Sequence, residues 1–192
     1  MAFLIIGAVV AVLAIGGVVL AVALFAGAGS YEDNGVAFEY PKDWVETSEK
    51  TVGAQVGDEL WSTGAGPIPE DGNTEELTAD VVLVTAYRLT QEVNEENVTT
   101  IEPELRGVLD QLVEQSGTSW PGELSRRTVD GSPAFVAEGV EAVGPQQQPV
   151  ESRVVFVFDG TTQYFINCQY EPPLRSEILA GCDQVLDTFS ID

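Results

Sequence analysis

DVVLVTAYRLT, Asp80 to Thr90, is the stretch that decides the fold. Val81 to Val84 are apolar on both alternating faces, whereas a strand with one wet face would alternate polar with apolar residues. Such a strand lies between two covering layers, so the rest of the chain must supply neighbours and covers. Downstream, Leu105, Val108, Leu109, Leu112 and Val113 recur at helical spacing, with Pro103 in the first turn and Ser116-Gly117 as the stop. Glu102 and Glu104 sit at the start, where the helix dipole favours acid. Two hairpins follow. Leu124 to Val129 and Ala134 to Val143 flank Asp130-Gly131, and Ser152 to Phe158 and Thr161 to Tyr170 flank Asp159-Gly160, a dipeptide that suits turns with positive φ. Ile178, Leu179, Cys182, Val185, Leu186 and Phe189 then give a closing helix.

Upstream, Gly35 to Tyr40 alternates as a strand, Pro41-Lys42-Asp43 is a turn, and Trp44-Val45 resumes an extended run. Ala54 to Ser62 is strand-like around Leu60-Trp61. Gly27 to Asn34 reads as a short linker, and Thr63 to Thr78, Glu92 to Asn97 and Gly144 to Pro149 read as loops. No internal repeat interrupts this order. Strands, a helix, four strands and a helix predict an α+β domain, an antiparallel sheet with helices packed on it.

Before the domain comes AFLIIGAVVAVLAIGGVVLAVALFAGA, Ala2 to Ala28, without one charged, amide or hydroxyl side chain. Crossing hydrocarbon takes about 20 apolar residues as a helix, the only single segment that satisfies its own backbone groups in lipid. Residues 1–30 are therefore expected to be a transmembrane signal anchor, and residues 31–192 an extracytoplasmic domain. The alternatives are a secretory signal cleaved near Ala26-Gly27-Ala28, which would release the domain, and a buried core helix. A basic n-region is missing and the apolar run is long for a signal peptide. With nothing basic to retain the C-terminal side in the cytoplasm, the domain is placed outside a cell membrane crossed once.

Formal charge is −23, from 31 acidic against 8 basic residues. A body this negative repels phosphate backbones, so nucleic acid is excluded as a partner. Screening at high salt would remove the self-repulsion, and so salt adaptation explains the acidity as readily as capture of a cation or basic partner. Cys168 and Cys182, with thirteen residues between them, do not have CxxC spacing. In an oxidising compartment they are expected to form a disulfide tying a late strand to the closing helix, the alternative being two buried thiols.

There is no histidine, which removes Ser-His-Asp and Cys-His catalysis in their usual forms and imidazole metal sites. Neither phosphate-cradling glycine motif is present. Asp71, Glu75, Glu76 and Asp80, and then Glu92, Glu95 and Glu96, form dense acidic loops that lack the alternating order of a calcium loop and read as solvated. Chance carboxylate pairs carry no weight among so many acids, so no catalytic, cofactor or metal residue is assigned. Asn97-Val98-Thr99 is a glycosylation sequon where the host glycosylates exported chains. Trp44 reads as core. Trp61 and Trp120 flank loops and are the candidate interaction residues, aromatic side chains being enriched in binding patches.

Gly35-Val36-Ala37-Phe38-Glu39-Tyr40-Pro41-Lys42-Asp43-Trp44 resembles the opening of PsbP-like domains, and Val129-Asp130-Gly131-Ser132-Pro133-Ala134 resembles their central hairpin. The helix around Leu105 to Val113 and the closing helix from Ile178 to Phe189-Ser190 are similar too, and the layout is nearest to actinobacterial envelope lipoproteins of the LpqN type. This resemblance implies an antiparallel sheet between helical layers and a non-enzymatic accessory module, a subunit or assembly factor of a membrane complex. No lipidated cysteine follows the apolar run, whose place the anchor would take. Two other functions stay open: a carrier of a small apolar or cationic ligand between sheet and helix, and a carboxylate hydrolase.

Overall fold

The computed structural model describes residues 18–20, 29–47, 49–51, 59–68, 79–143 and 148–192. In chain order the strands are β1 (Val18–Leu20), β2 (Ser30–Asp33), β3 (Val36–Glu39), β4 (Trp44–Thr47), β5 (Glu49–Thr51), β6 (Glu59–Pro67) and β7 (Val81–Val93). Helix α1 (Glu102–Ser116) follows, then β8 (Leu124–Val129), β9 (Ser132–Val143), β10 (Pro149–Tyr170), α2 (Arg175–Thr188) and β11 (Ser190–Ile191). The main sheet runs β4-β6-β7-β10-β9-β8 with antiparallel neighbours, and a small sheet runs β11-β3-β2.

β10 is 22 residues of continuous extended backbone. Drawn out straight it would measure about 70 Å at ~3.3 Å per residue. It doubles back instead: Phe156 and Phe165 rings lie 5.3 Å apart, and the Tyr170 hydroxyl donates to Glu151 Oε2 at 3.3 Å. The fold-back falls at Asp159-Gly160, where Gly160 has φ 56°, so the hairpin expected there is present and its arms pair outward with β9 and β7. Asp130 and Gly131, φ 47° and 79°, turn β8 into β9 in the same manner.

Both faces of the sheet are covered, as the apolar run Val81 to Val84 requires. On one face, Val84, Val155, Val157, Ile166 and Cys168 pack with Ile178, Cys182, Val185 and Leu186 of α2 and with Val36 and Phe38 of the small sheet. On the other, Phe135, Phe156, Phe158 and Phe165 pack under Leu105, Val108, Leu109 and Val113 of α1. Helix α1 stops at Gly117, φ 68°, whose N–H returns to the Glu114 and Val113 carbonyls. Helix α2 comes close to the sheet because Gly181 has no side chain: a Cβ there would fall 2.6 Å from Cζ2 of the Trp44 ring. Arg153 clamps the same layer, reaching Glu138 and Asp183 at 2.6 Å each.

Two readings of the sequence are corrected. Ser30–Asp33, read as linker, is a strand paired with β3 through the Asn34-Gly35 turn, because short exposed hairpin strands carry no apolar alternation. Thr63 to Pro67, read as loop, completes β6, where Gly66 lets the chain pass the Asp80 carbonyl closely. Of the apolar stretch Ala2 to Ala28, Val18–Leu20 is a three-residue strand paired with Glu49–Thr51, its β-branched pair following Gly16-Gly17; the remainder lies outside the described residues. Among the described residues no helix is long and apolar enough to cross a membrane.

Candidate functional site

Cys168 on β10 and Cys182 on α2 form a disulfide, with Cα atoms 5.9 Å apart and both residues fully buried. It joins a central strand to the helix above it, as expected. Trp44 is core, 5% exposed, its Nε1 donating to Glu177 Oε1 at 3.4 Å. Trp61 and Trp120 are not brought together. Trp120 is half-buried on the α1 side and donates Nε1–H to Asp110 Oδ1 at 2.8 Å, so it tacks its loop to the helix. Trp61, on the opposite face, is half-buried within an aromatic chain: centroids 6.1 Å from Tyr31 and 6.2 Å from Tyr164, with Tyr31 stacked 5.0 Å from Phe38. Leu60 beside it is 44% exposed, raised by a bulge between Glu59 and Trp61. Sequence reasoning did not connect Tyr31 with this group, since the contact joins β2 to β6 across two sheets.

Of the acidic loops, Asp71, Glu75 and Glu76 lie outside the described residues. Glu95 pairs with Arg126, and among the described residues no cluster of three or more ligand-type side chains is placed to hold a metal ion. Asn97 donates its amide to the Glu92 carbonyl at 2.9 Å, so the sequon asparagine closes a turn. A cleft of about 320 Å³ opens at the end of the sheet, lined by Thr118, Glu141, Ala142, Val150, Glu151 and Pro172 among others. It does not lie between sheet and helix, where the carrier reading puts its ligand.

Asp80, across the sheet end, accepts the Glu171 N–H at 2.7 Å. Burial pushes its carboxyl above the usual range, opposed by that N–H and reinforced by the Glu171 and Glu177 carboxylates. Burial raises Glu46 as well, with Asp33 adding to it. A carboxyl that binds its proton more readily folded than unfolded favours the folded state once protonated, and that gain is lost as pH rises through the folded value. Thermal midpoints should therefore rise on mild acidification from neutral toward the carboxylate range. Asp80→Asn should flatten part of that rise.

A row of polar groups runs down the α1 side of β10, where Gln163, Phe165 and Asn167 alternate onto one face. Asn167 and Ser152 are fully buried, and among the described residues the carboxamide of Asn167, the Ser152 hydroxyl and the Gln163 amide nitrogen have no hydrogen-bond partner. Leaving such a group unpaired costs about 1–3 kcal/mol, whereas an apolar group of the same shape is neutral or better. Asn167→Leu should therefore raise the unfolding free energy by about 1 kcal/mol, measured by urea titration.

The architecture is thus an antiparallel sheet between helical layers, with a disulfide through one of them. No family model and no curated protein matches the chain. Solved structures match it. Cyanobacterial PsbP (CyanoP) from Synechocystis is 12% identical, with a TM-score of 0.56 over 88% of this chain and 94% of that one. A protein from Bacteroides thetaiotaomicron is 9% identical, with a TM-score of 0.52 over 86% of this chain and 48% of that one, so the chain spans about half its length. LpqN, described as involved in cell envelope biogenesis of Mycobacterium tuberculosis, is 12% identical at a TM-score of 0.49, over 84% and 87% of the two chains. The chain has the PsbP-like fold.

Proposed function

We propose that this chain is an extracytoplasmic accessory or interaction module, held at a membrane by Ala2 to Ala28 and acting by contact with a membrane or envelope protein, without catalysing a reaction. The observation that carries the reading is the buried Cys168–Cys182 bridge, because structural disulfides form and persist in oxidising compartments. The apolar stretch supports it with the one route across a bilayer open to a single segment. On this reading Val18–Leu20, paired with Glu49–Thr51 in the structure, would exchange that pairing for helix in lipid, since an open strand leaves backbone groups unsatisfied there. Lack of histidine and of a phosphate-cradling loop supports a contact role over a chemical one.

Purification from native membranes after mild cross-linking, followed by mass spectrometry, tests this. A co-migrating membrane or envelope protein and an intact N-terminal stretch are expected. Recovery of the chain alone would overturn the contact role, and a mature terminus near residue 28 would replace the anchored form with a secreted one.

A further inference from the structure

We infer that the aromatic edge formed by Tyr31, Leu60 and Trp61 rests on the bilayer, in the headgroup zone of zwitterionic lipid. This rests on the anchored reading above. The apolar run ends at Ala28, Gly29 is fixed by the Tyr40 N–H to its carbonyl at 2.7 Å, and Tyr31 follows two residues later. At ~3.5 Å per residue, Tyr31 lies within about 10 Å of the end of the run. There is no slack between them: β2 begins at Ser30, so the domain starts where the hydrocarbon-compatible segment stops. Whatever surface surrounds Tyr31 is therefore held at the membrane.

That surface has the composition the interface favours. Tyr and Trp place an apolar ring in the headgroup layer and a polar tip in water. Tyr31 stacks on Phe38 and Trp61, its hydroxyl accepts from Asn34 Nδ2 at 2.9 Å, and both rings are half-buried. Leu60 adds exposed aliphatic surface next to Trp61. Glu32 and Asp33 are exposed beside Tyr31, which repels anionic headgroups and selects zwitterionic ones. Trp120, on the other face of the sheet and tied to Asp110, is directed elsewhere.

The experiment uses the full chain carrying Trp120→Phe, in phosphatidylcholine vesicles, so that Trp61 reports against buried Trp44. Flotation reads the anchor, and quenching of tryptophan emission by lipids brominated near the headgroup reads the docking. Co-flotation with loss of emission on shallow bromination is expected. Leu60→Glu should remove that loss while circular dichroism stays unchanged. Flotation with emission indifferent to bromination would overturn the docking and leave the anchor standing. Failure to float would overturn both. Shielding of Trp61 only when a co-purified membrane protein is added, and not by lipid, would assign the edge to a protein contact and also overturn the proposal.

Discussion

Reducing the Cys168–Cys182 bridge lowers the unfolding free energy by about 3 kcal/mol, the expectation for a closed loop of this size. For a domain of this length that is a fall of roughly 10 °C in the thermal midpoint. The bridge constrains the unfolded chain by holding together two residues 14 apart, and in the folded state it fastens α2 to the strand beneath it. Reduction keeps both sulfur atoms in place, so it isolates the tether. Cys168→Ala with Cys182→Ala removes buried volume as well and should cost more, since both positions are fully buried. Paired urea titrations with and without a phosphine reductant give the comparison. A reduced protein with an unchanged midpoint would mean that packing alone holds the helix, and the bridge would lose its place in the stability of the fold.

Gly181→Ala is expected to destabilise by about 3 kcal/mol, although in an exposed helix interior the same change stabilises by about 1. The sign reverses because the new methyl would lie 2.6 Å from Trp44 Cζ2, and Trp44 is buried and bonded to Glu177 of the same helix. Neither partner moves freely: the ring is held between α2 and the sheet, and α2 is tied by the disulfide and by Arg153. Trp44→Leu on its own opens a cavity and costs about 2–4 kcal/mol, but joined to Gly181→Ala it should cost much less than the sum. A double-mutant cycle by chemical denaturation measures that coupling. Additive losses would show that the helix is not kept close by this contact.

Much of this was legible in the residues, and what was not has identifiable causes. Val81 to Val84 announced a strand covered on both faces, the Asp-Gly pairs marked two hairpins, and the spacing from Leu105 to Val113 placed the helix within a few residues, because each is a local pattern. Ser30–Asp33 was hidden because its pairing, not its composition, makes it a strand. Gly66 read as loop, yet a residue without a side chain is what β6 needs beside the Asp80 carbonyl. At the candidate sites, the pairing of Cys168 with Cys182 followed from compartment and count. Trp61 was singled out as an interaction residue, but its stack with Tyr31 joins elements 30 positions apart and no local window contains it. The polar row at Ser152 and Asn167 sits in strands that read as apolar, since only register reveals which face they occupy.

The antiparallel order of the main sheet also bears on how the chain acquires its shape. Val81 pairs with Gln169, so the central position beside β7 is filled by a segment synthesised much later. Until then β7 is a ribbon sticky on both sides, with one flank bare. Closing such distant pairings is slow, because loop entropy must be overcome before the contacts form. Ribosomal output order and assembly order therefore run against each other here, and a holdase that shields Val81 to Val84 during that interval would raise the yield of correctly oxidised protein.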